Sequence, residues 1–175
     1  MLSDQIKQTL RDVPDFPRPG IIFKDITPVL KDPSLCREIT LALAAQVREI
    51  EIDAVAGIES RGFLFGMALA QALQVPFVPV RKAGKLPHTT IRQSYALEYG
   101  TATLEIHKDA FKAGQKVLIH DDLLATGGTV VAASELVRQL GASVAAYSFL
   151  ISLDFLNGRE RIRSFAPDIF SLAAF

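Results

Sequence analysis

The stretch Val117-Leu-Ile-His-Asp-Asp-Leu-Leu-Ala-Thr-Gly-Gly-Thr129 decides the fold of this sequence. Val117–His120 is a short apolar run typical of a buried strand, and a helical pattern closed by Gly141 runs from Gly128 to Leu140. Two acids and a loop of small residues lie between them. A strand, a tight loop and a helix in this order predict one unit of a parallel sheet.

The same alternation extends to both sides of this stretch. Apolar strands are predicted at Ala54–Gly57, Pro76–Val80 and Val144–Ser152, and helices at Leu35–Glu49 and Arg61–Leu73. We therefore expect an α/β fold with a mainly parallel, twisted sheet flanked by helices on both faces. Because no linker interrupts the 175 residues, we expect one domain over residues 1–175.

The remaining segments are less regular. Ser3–Arg11 predicts an amphipathic helix with Ser3 as N-cap, and Pro14–Pro33 is rich in prolines and turns. Arg81–Thr90 is basic and contains Gly84, which favours a mobile loop. Ser94–Leu97 and Ala102–Ile106 predict a hairpin around Tyr99-Gly100.

Composition excludes several classes of protein. Hydrophobic residues make up 49% of the chain, and 19 basic residues balance 19 acidic ones. Without a basic excess, we expect no nucleic-acid partner. The single cysteine, Cys36, excludes an internal disulfide and is interpreted as a buried thiol. The N-terminus lacks the apolar run of a signal peptide and no stretch is long enough to span a membrane, so we expect a cytoplasmic protein without membrane contact.

The loop after Val117–His120 has the chemistry of a sugar-phosphate site. Ligands of open parallel sheets collect at the carboxyl ends of the strands. Small residues let backbone amides converge on a phosphate at the positive end of the next helix, and threonine hydroxyls add donors. Asp121 and Asp122 would repel phosphate but can accept hydrogen bonds from vicinal sugar hydroxyls. The predicted phosphate ligands are Ala125, Thr126, Gly127, Gly128 and Thr129.

Other interpretations of this loop are weaker. A helix-capping turn with two solvated acids needs no ligand at all. Neither the P-loop pattern nor the dinucleotide-binding glycine pattern is present. A metal-dependent hydrolase beginning at His120-Asp121 would need further ligands, and His88 and His107 are the other histidines.

The loop resembles the signature of the type I phosphoribosyltransferases, which bind 5-phosphoribosyl 1-pyrophosphate. Four more stretches, in the order of that family, narrow the resemblance to its adenine-specific members and extend it from Asp15 to about Arg159. They are Asp15-Phe-Pro-Arg-Pro-Gly-Ile-Ile-Phe-Lys-Asp-Ile-Thr-Pro28, Gly57-Ile-Glu-Ser-Arg-Gly-Phe-Leu-Phe-Gly66, Arg81-Lys-Ala-Gly-Lys-Leu-Pro87 and Ser94-Tyr-Ala-Leu-Glu-Tyr-Gly100.

The resemblance implies a reaction and its partners. Adenine and phosphoribosyl pyrophosphate would give AMP and pyrophosphate, a step of purine salvage in the cytoplasm. A homodimer is implied, with Mg2+ held mainly through the substrate rather than by protein ligands. Residues 1–33 would form a small hood over the base site, and a flexible loop and hairpin would follow Arg81.

The resemblance also implies roles on the pyrophosphate side. Pyrophosphate leaves as a multiply charged anion, so metal and cationic side chains must offset its charge. The peptide bond Glu59–Ser60 would be cis. Without the resemblance, Arg61 would be interpreted as a surface salt bridge and the basic loop as a solvated charge run. The residues assigned to this anion are Ser60, Arg61, Arg81, Lys82 and Lys85.

On the base side, the resemblance makes Glu98 the candidate acid–base residue, with Arg61 and Tyr99 as further catalytic residues. Phe23 would stack on adenine, although plain core packing is the alternative, and a solvated hairpin acid is the alternative for Glu98. The family often has a charged or polar residue before the leucine that corresponds to Leu153, and in this sequence Ser152 precedes it. The assigned base-binding residues are Ile22, Phe23, Lys24 and Leu153.

Two other functions remain open at this point. A 6-oxopurine enzyme would use the same sugar-phosphate loop, although the Phe23 and Glu98 stretches favour adenine. A non-catalytic regulator could keep the fold to sense phosphoribosyl pyrophosphate, although the zero net charge gives it no obvious nucleic-acid surface.

Overall fold

The structure of the protein is a computed structural model that describes residues 1–97 and 100–175. The strands are β1 (Arg11–Pro14), β2 (Ile22–Asp25), β3 (Ala54–Ile58), β4 (Phe77–Lys82), β5 (Thr90–Ala96), β6 (Thr101–His107), β7 (Lys116–Leu124), β8 (Ser143–Ser152) and β9 (Ile169–Ala174). The helices are α1 (Leu2–Thr9), α2 (Thr27–Leu30), α3 (Pro33–Gln46), α4 (Gly62–Leu73), α5 (Gly128–Gln139) and α6 (Gly158–Ile162), with a 3-10 helix at Asp154–Leu156.

Seven strands form the central sheet in the order β5-β6-β4-β3-β7-β8-β9. The five strands from β4 to β9 in this order are parallel, whereas β6 and β5 continue the sheet beyond β4 in antiparallel pairing. The prediction of a mainly parallel α/β sheet is therefore confirmed. β1 and β2 form a separate antiparallel pair that contains Ile22, Phe23 and Lys24, the residues predicted to bind the base.

Helices bury both faces of the sheet, because successive side chains of a strand point to opposite sides. In β3 and β7, Ala56 and Ile119 pack in one core cluster, which includes Leu136 of α5. Val55 and Leu118 alternate with them and pack in the other cluster with α3 and α4. Because both faces of β3 and β7 are buried, the sequence of each strand contains a nearly continuous apolar run.

Some predicted boundaries are wrong. Ser3 is not the N-cap of α1, because the helix begins one residue earlier, at Leu2, with Met1 as cap. β7 runs beyond His120, because it stays paired with β8 as far as Leu124 and Ser152. Arg81 and Lys82 lie in β4 rather than in a loop, because they pair with β6.

Across residues 1–97 and 100–175, no helix combines the length and apolar character that crossing a membrane requires.

Candidate active site

A cleft of about 460 Å3 opens at the carboxyl ends of β3 and β7. It brings together residues that lie far apart in the chain, among them predicted ligands from three of the stretches singled out above. The residues that line it are Glu59, Ser60, Arg61, Lys82, Tyr95, Leu97, Ala102, Leu104, Asp121, Asp122, Leu123 and Thr129.

The acid pair lies inside this cleft. Asp122 is 3% exposed, and Arg61 Nε lies 3.0 Å from its Oδ2. That oxygen accepts no hydrogen bond from the residues that the structure describes. Burial raises the pKa of Asp122, although the Arg61 charge favours its ionised form. Burial and the neighbouring Asp122 raise the pKa of Asp121 well above its usual range. Arg61 therefore acts as counter-ion to the acids at the centre of the cleft.

The turn Ala125–Gly127 follows β7 directly, and α5 begins at Gly128. Gly127 has a φ of +81°, a conformation that a residue with a side chain adopts at a cost. Thr129 Oγ1 donates to Tyr95 Oη at 3.3 Å. The predicted phosphate ligands thus lie together at the first turn of an amphipathic helix, where backbone N–H groups lack helical partners.

The start of α6 packs against this turn. An ideal Cβ at Gly158 would lie 2.2 Å from the carbonyl oxygen of Ala125, and one at Gly127 would lie 3.0 Å from the carbonyl oxygen of Gly158. Real Cβ atoms essentially never approach another atom more closely than 3.0 Å. Glycine at position 158 therefore sets how closely α6 approaches the predicted phosphate site.

Arg161 is a residue of this site that sequence reasoning missed. Its exposed side chain extends from α6, and its Nη1 lies 3.5 Å from the carbonyl oxygen of Thr126. It lines a second cleft of about 640 Å3 together with Thr126, Gly128, Thr129 and, from the N-terminal segment, Pro17. No spacing in the sequence links position 161 to the turn 35 residues earlier.

Arg61 also contacts the predicted base site. Its Cζ lies 4.6 Å from the centre of the Phe23 ring, and its Nη1 donates to the carbonyl oxygen of Lys24 at 3.3 Å. The rings of Phe16 and Phe23 form a T-shaped pair with a centroid distance of 5.1 Å. Phe23 thus has a cationic partner on its ring, where cation–π attraction adds to packing.

The other residues assigned to the base have different surroundings. Ile22 is 58% exposed, and Lys24 Nζ pairs with Asp12 at 2.7 Å. Leu153 is half-buried after β8, where its backbone N–H donates to the carbonyl oxygen of Leu124. Glu98 and Tyr99 lie outside the described residues.

Two of the basic residues predicted to meet pyrophosphate converge on Glu59. Lys85 Nζ donates to Glu59 Oε1 at 2.6 Å, and Arg81 Nε lies 3.3 Å from Oε2. The backbone N–H of Lys82 also donates to Oε2, at 2.8 Å. Burial opposes ionisation of Glu59, but these hydrogen bonds outweigh it and lower its pKa to about 2. Glu59 was given no role from the sequence, although its place between Gly57 and Arg61 was a signal.

The bond Glu59–Ser60 is a cis peptide, as expected from the resemblance. Ser60 and Arg61 lie at the cleft, immediately before α4. Tyr95 lines both clefts, although no role was predicted for it from the sequence.

Comparisons with known proteins agree with this geometry. The phosphoribosyl transferase domain family matches residues 27–170. The chain is 52% identical to an adenine phosphoribosyltransferase of Cytophaga hutchinsonii over 98% of the chain and 95% of that protein.

Two crystal structures extend the comparison. Adenine phosphoribosyltransferase from Thermoanaerobacter pseudethanolicus superposes with a TM-score of 0.96 at 51% identity, over all of both chains. The Saccharomyces cerevisiae enzyme, complexed with an imino-altritol bisphosphate and adenine, gives 0.89 at 44% identity over 98% of both chains. This chain therefore belongs to the adenine phosphoribosyltransferase family, whose members are enzymes that transfer the phosphoribosyl group from phosphoribosyl pyrophosphate to adenine and give AMP.

Proposed function

We propose that the cleft at the ends of β3 and β7 carries out the reaction of this family. A ring nitrogen of adenine attacks C1′ of the ribose, the bond from C1′ to the pyrophosphate oxygen breaks, and the ring nitrogen loses its proton. The observation that carries the proposal is the buried Asp122, whose Oδ2 accepts no hydrogen bond from the described residues and lies beside the small-residue turn. Such an acceptor suits a ribose hydroxyl, and the turn suits the 5′-phosphate.

The direct test is formation of AMP by the purified protein from adenine and phosphoribosyl pyrophosphate. Adenine and hypoxanthine compete in the same assay, and we expect adenine to be used in preference. No AMP in the presence of Mg2+ would exclude the proposal, whereas preferential use of hypoxanthine would assign the site to 6-oxopurines.

The pyrophosphate end of the cleft is assigned to Ser60, Arg61 and the basic residues Arg81, Lys82 and Lys85. Glu59 forms ion pairs with Arg81 and Lys85 beside the cleft. These two side chains are therefore already close to the site before the anion binds. Preorganised charge of this kind stabilises a leaving anion more than solvated side chains can.

We assign Mg2+ as the cofactor. Within the part of the chain that the structure describes, no cluster of three or more acidic, histidine or cysteine side chains is placed to hold a metal. Mg2+ commonly binds through the phosphates of a substrate and few protein groups, so we propose that phosphoribosyl pyrophosphate, rather than protein ligands, mainly holds the ion. When bound, the ion supplies positive charge to the leaving pyrophosphate. Chelation by EDTA is expected to abolish turnover, and added Mg2+ to restore it.

Arg161 is assigned to the 5′-phosphate. Arg161→Gln is expected to weaken AMP binding by about tenfold, because a charge-assisted hydrogen bond to the phosphate is lost. Adenosine, which lacks the phosphate, should bind the variant and the wild type equally in calorimetry. Arg163→Gln is the matched control, since Arg163 is exposed nearby and pairs with Glu160. Equal losses for AMP and adenosine would contradict the assignment.

We assign adenine to β2, with Phe23 for stacking and backbone groups of Ile22 and Lys24 for the amino edge. Leu153 is assigned to the base by the family resemblance. Residues 1–33 then serve as a hood over the base within a single domain, 1–175. In the structure, the Arg61 guanidinium lies over the Phe23 ring and donates to the Lys24 carbonyl oxygen. Adenine must therefore share these contacts with Arg61 or replace them.

Glu98 is assigned as the acid–base residue and Tyr99 as an orienting residue, both on the strength of the family resemblance. Glu98→Gln is expected to lower kcat by about 100-fold, because the amide cannot accept the proton from the base. Calorimetry should give wild-type affinity for phosphoribosyl pyrophosphate. A wild-type kcat would remove Glu98 from the acid–base role.

We further propose a homodimer in the cytoplasm. In α4, Leu64 is 48% exposed and Met67 is 46% exposed, although the helix is apolar on nearly all sides. A helix of that composition is normally covered, and a second copy would cover it. Light scattering is expected to give twice the chain mass.

The cytoplasmic location is proposed from the chemistry of the substrate. Charged phosphoribosyl pyrophosphate does not cross a membrane unaided, so the enzyme must work in the compartment that makes it.

A further inference from the structure

Glu105 of β6 is a fully buried acid that the proposed reaction does not use. Its Oε1 accepts hydrogen bonds from the backbone N–H groups of Lys85 at 2.9 Å and Leu86 at 2.8 Å. Its Oε2 lies 3.1 Å from Arg92 Nε of the neighbouring strand β5. One carboxylate thus joins the main chain of the basic loop to the β5–β6 hairpin.

The charge on Glu105 is well stabilised. Burial alone would raise its pKa, but hydrogen bonds from the backbone of Leu86, Gly84 and Lys85 and from Arg92 lower it to about 2. The carboxylate is therefore ionised at neutral pH. A hydrogen bond to a buried charge is stronger than one between neutral groups, so the loop gains a firm attachment.

Glu59 and Glu105 hold different parts of the segment Arg81–Leu86, which comprises the end of β4 and the start of the loop after it. Glu59 binds side chains, the ammonium of Lys85 and the guanidinium of Arg81, which are groups that an incoming pyrophosphate also attracts. Glu105 binds main-chain N–H groups, and these groups donate to its carboxylate rather than to an incoming anion. When an anion draws the side chains from Glu59, the Glu105 attachment still fixes the backbone that carries them.

We propose that Glu105 is a positioning residue that fixes Gly84–Leu86 on the β5–β6 hairpin and so presents Lys85, beside the basic side chains at the end of β4, to the pyrophosphate group. The inference rests on the proposed function, because it assumes that the cleft binds phosphoribosyl pyrophosphate. Loss of the Glu105 attachment should affect binding of phosphoribosyl pyrophosphate but not of adenine. An unanchored loop must be ordered when pyrophosphate binds, at a cost in entropy, whereas adenine binding does not require this ordering.

Glu105→Gln tests the inference, because the amide keeps the size of the side chain but loses its charge and one acceptor. We expect KM for phosphoribosyl pyrophosphate, and the Kd of pyrophosphate by calorimetry, to rise by about tenfold to 100-fold. KM for adenine should stay within about twofold. Glu105→Asp keeps the charge but shortens the side chain, so the same constants should rise by a smaller factor.

Asp53→Asn is the matched control, since the Asp53 carboxylate accepts a backbone N–H, that of Lys116, at 2.7 Å on another part of the chain. Unchanged constants in Glu105→Gln, or equal rises for both substrates, would overturn the inference. If Glu105→Gln does not fold, wild-type constants in Glu105→Asp would also overturn it. AMP formation by the wild type decides the proposed function separately, and pyrophosphate calorimetry tests Glu105 even without turnover.

Discussion

Gly158→Ala is expected to lower kcat/KM for phosphoribosyl pyrophosphate by about 100-fold, because the new methyl group would displace the turn Ala125–Gly127, the proposed phosphate site. The added Cβ would lie 2.2 Å from the carbonyl oxygen of Ala125 and 3.1 Å from Leu124 Cδ1. The backbone must move by about an ångström to relieve this overlap, and a displacement of that size at a binding site costs about two orders of magnitude in rate. Steady-state kinetics with varied phosphoribosyl pyrophosphate measures the effect.

A control on the same helix separates this overlap from general damage to α6. Glu160→Ala changes an exposed side chain that forms a surface pair with Arg163, and such pairs contribute little. We expect wild-type kinetics from it. A folded Gly158→Ala protein with wild-type kcat/KM would mean that the contact of α6 with the turn does not determine the site.

Asp122→Asn is expected to weaken binding of phosphoribosyl pyrophosphate by about tenfold to 100-fold. The amide has the size of the carboxylate but places an N–H group where the ribose hydroxyl needs an acceptor. It also removes the counter-ion of Arg61, whose Nε lies 3.0 Å from Asp122 Oδ2. Arg61 then loses the contact that helps to hold it between the acid pair and Phe23, so two substrate groups are affected together.

Calorimetry with the intact substrate and Mg2+ measures this loss. Asp109→Asn, at an exposed position outside the cleft, removes the same charge and should bind normally. Wild-type affinity in Asp122→Asn would contradict the assignment of this acid to the sugar hydroxyls. A normal affinity for phosphoribosyl pyrophosphate with weakened adenine binding would instead make Asp122 a support for Arg61 alone.

The sequence by itself predicted the strands β3, β4, β7 and β8 and the helices α3, α4 and α5, because periodicity and glycine positions are local properties. It did not predict β1, α2 or α6. It also determined the turn Ala125–Thr129 and the acid pair beside it, because both lie within 13 consecutive residues that include their strand and helix. The adenine-specific family followed from five stretches in order, and the comparisons confirm it. The boundaries that failed, such as the end of β7, depend on pairing with a neighbouring strand.

The tertiary structure alone decided how these parts meet. Glu59 and Arg81 are 22 residues apart, Glu105 and Lys85 are 20 apart, and Arg161 and Thr126 are 35 apart. No periodic pattern links such positions, since their contacts arise from the order and register of strands in the sheet. A buried charge also needs an oppositely charged or hydrogen-bonding partner. That partner lies elsewhere in the chain and is identified only in the packed structure. The small-residue turn after β7 could therefore be predicted from the sequence, whereas the contacts of Glu59 and Glu105 with Arg81 and Lys85 could not.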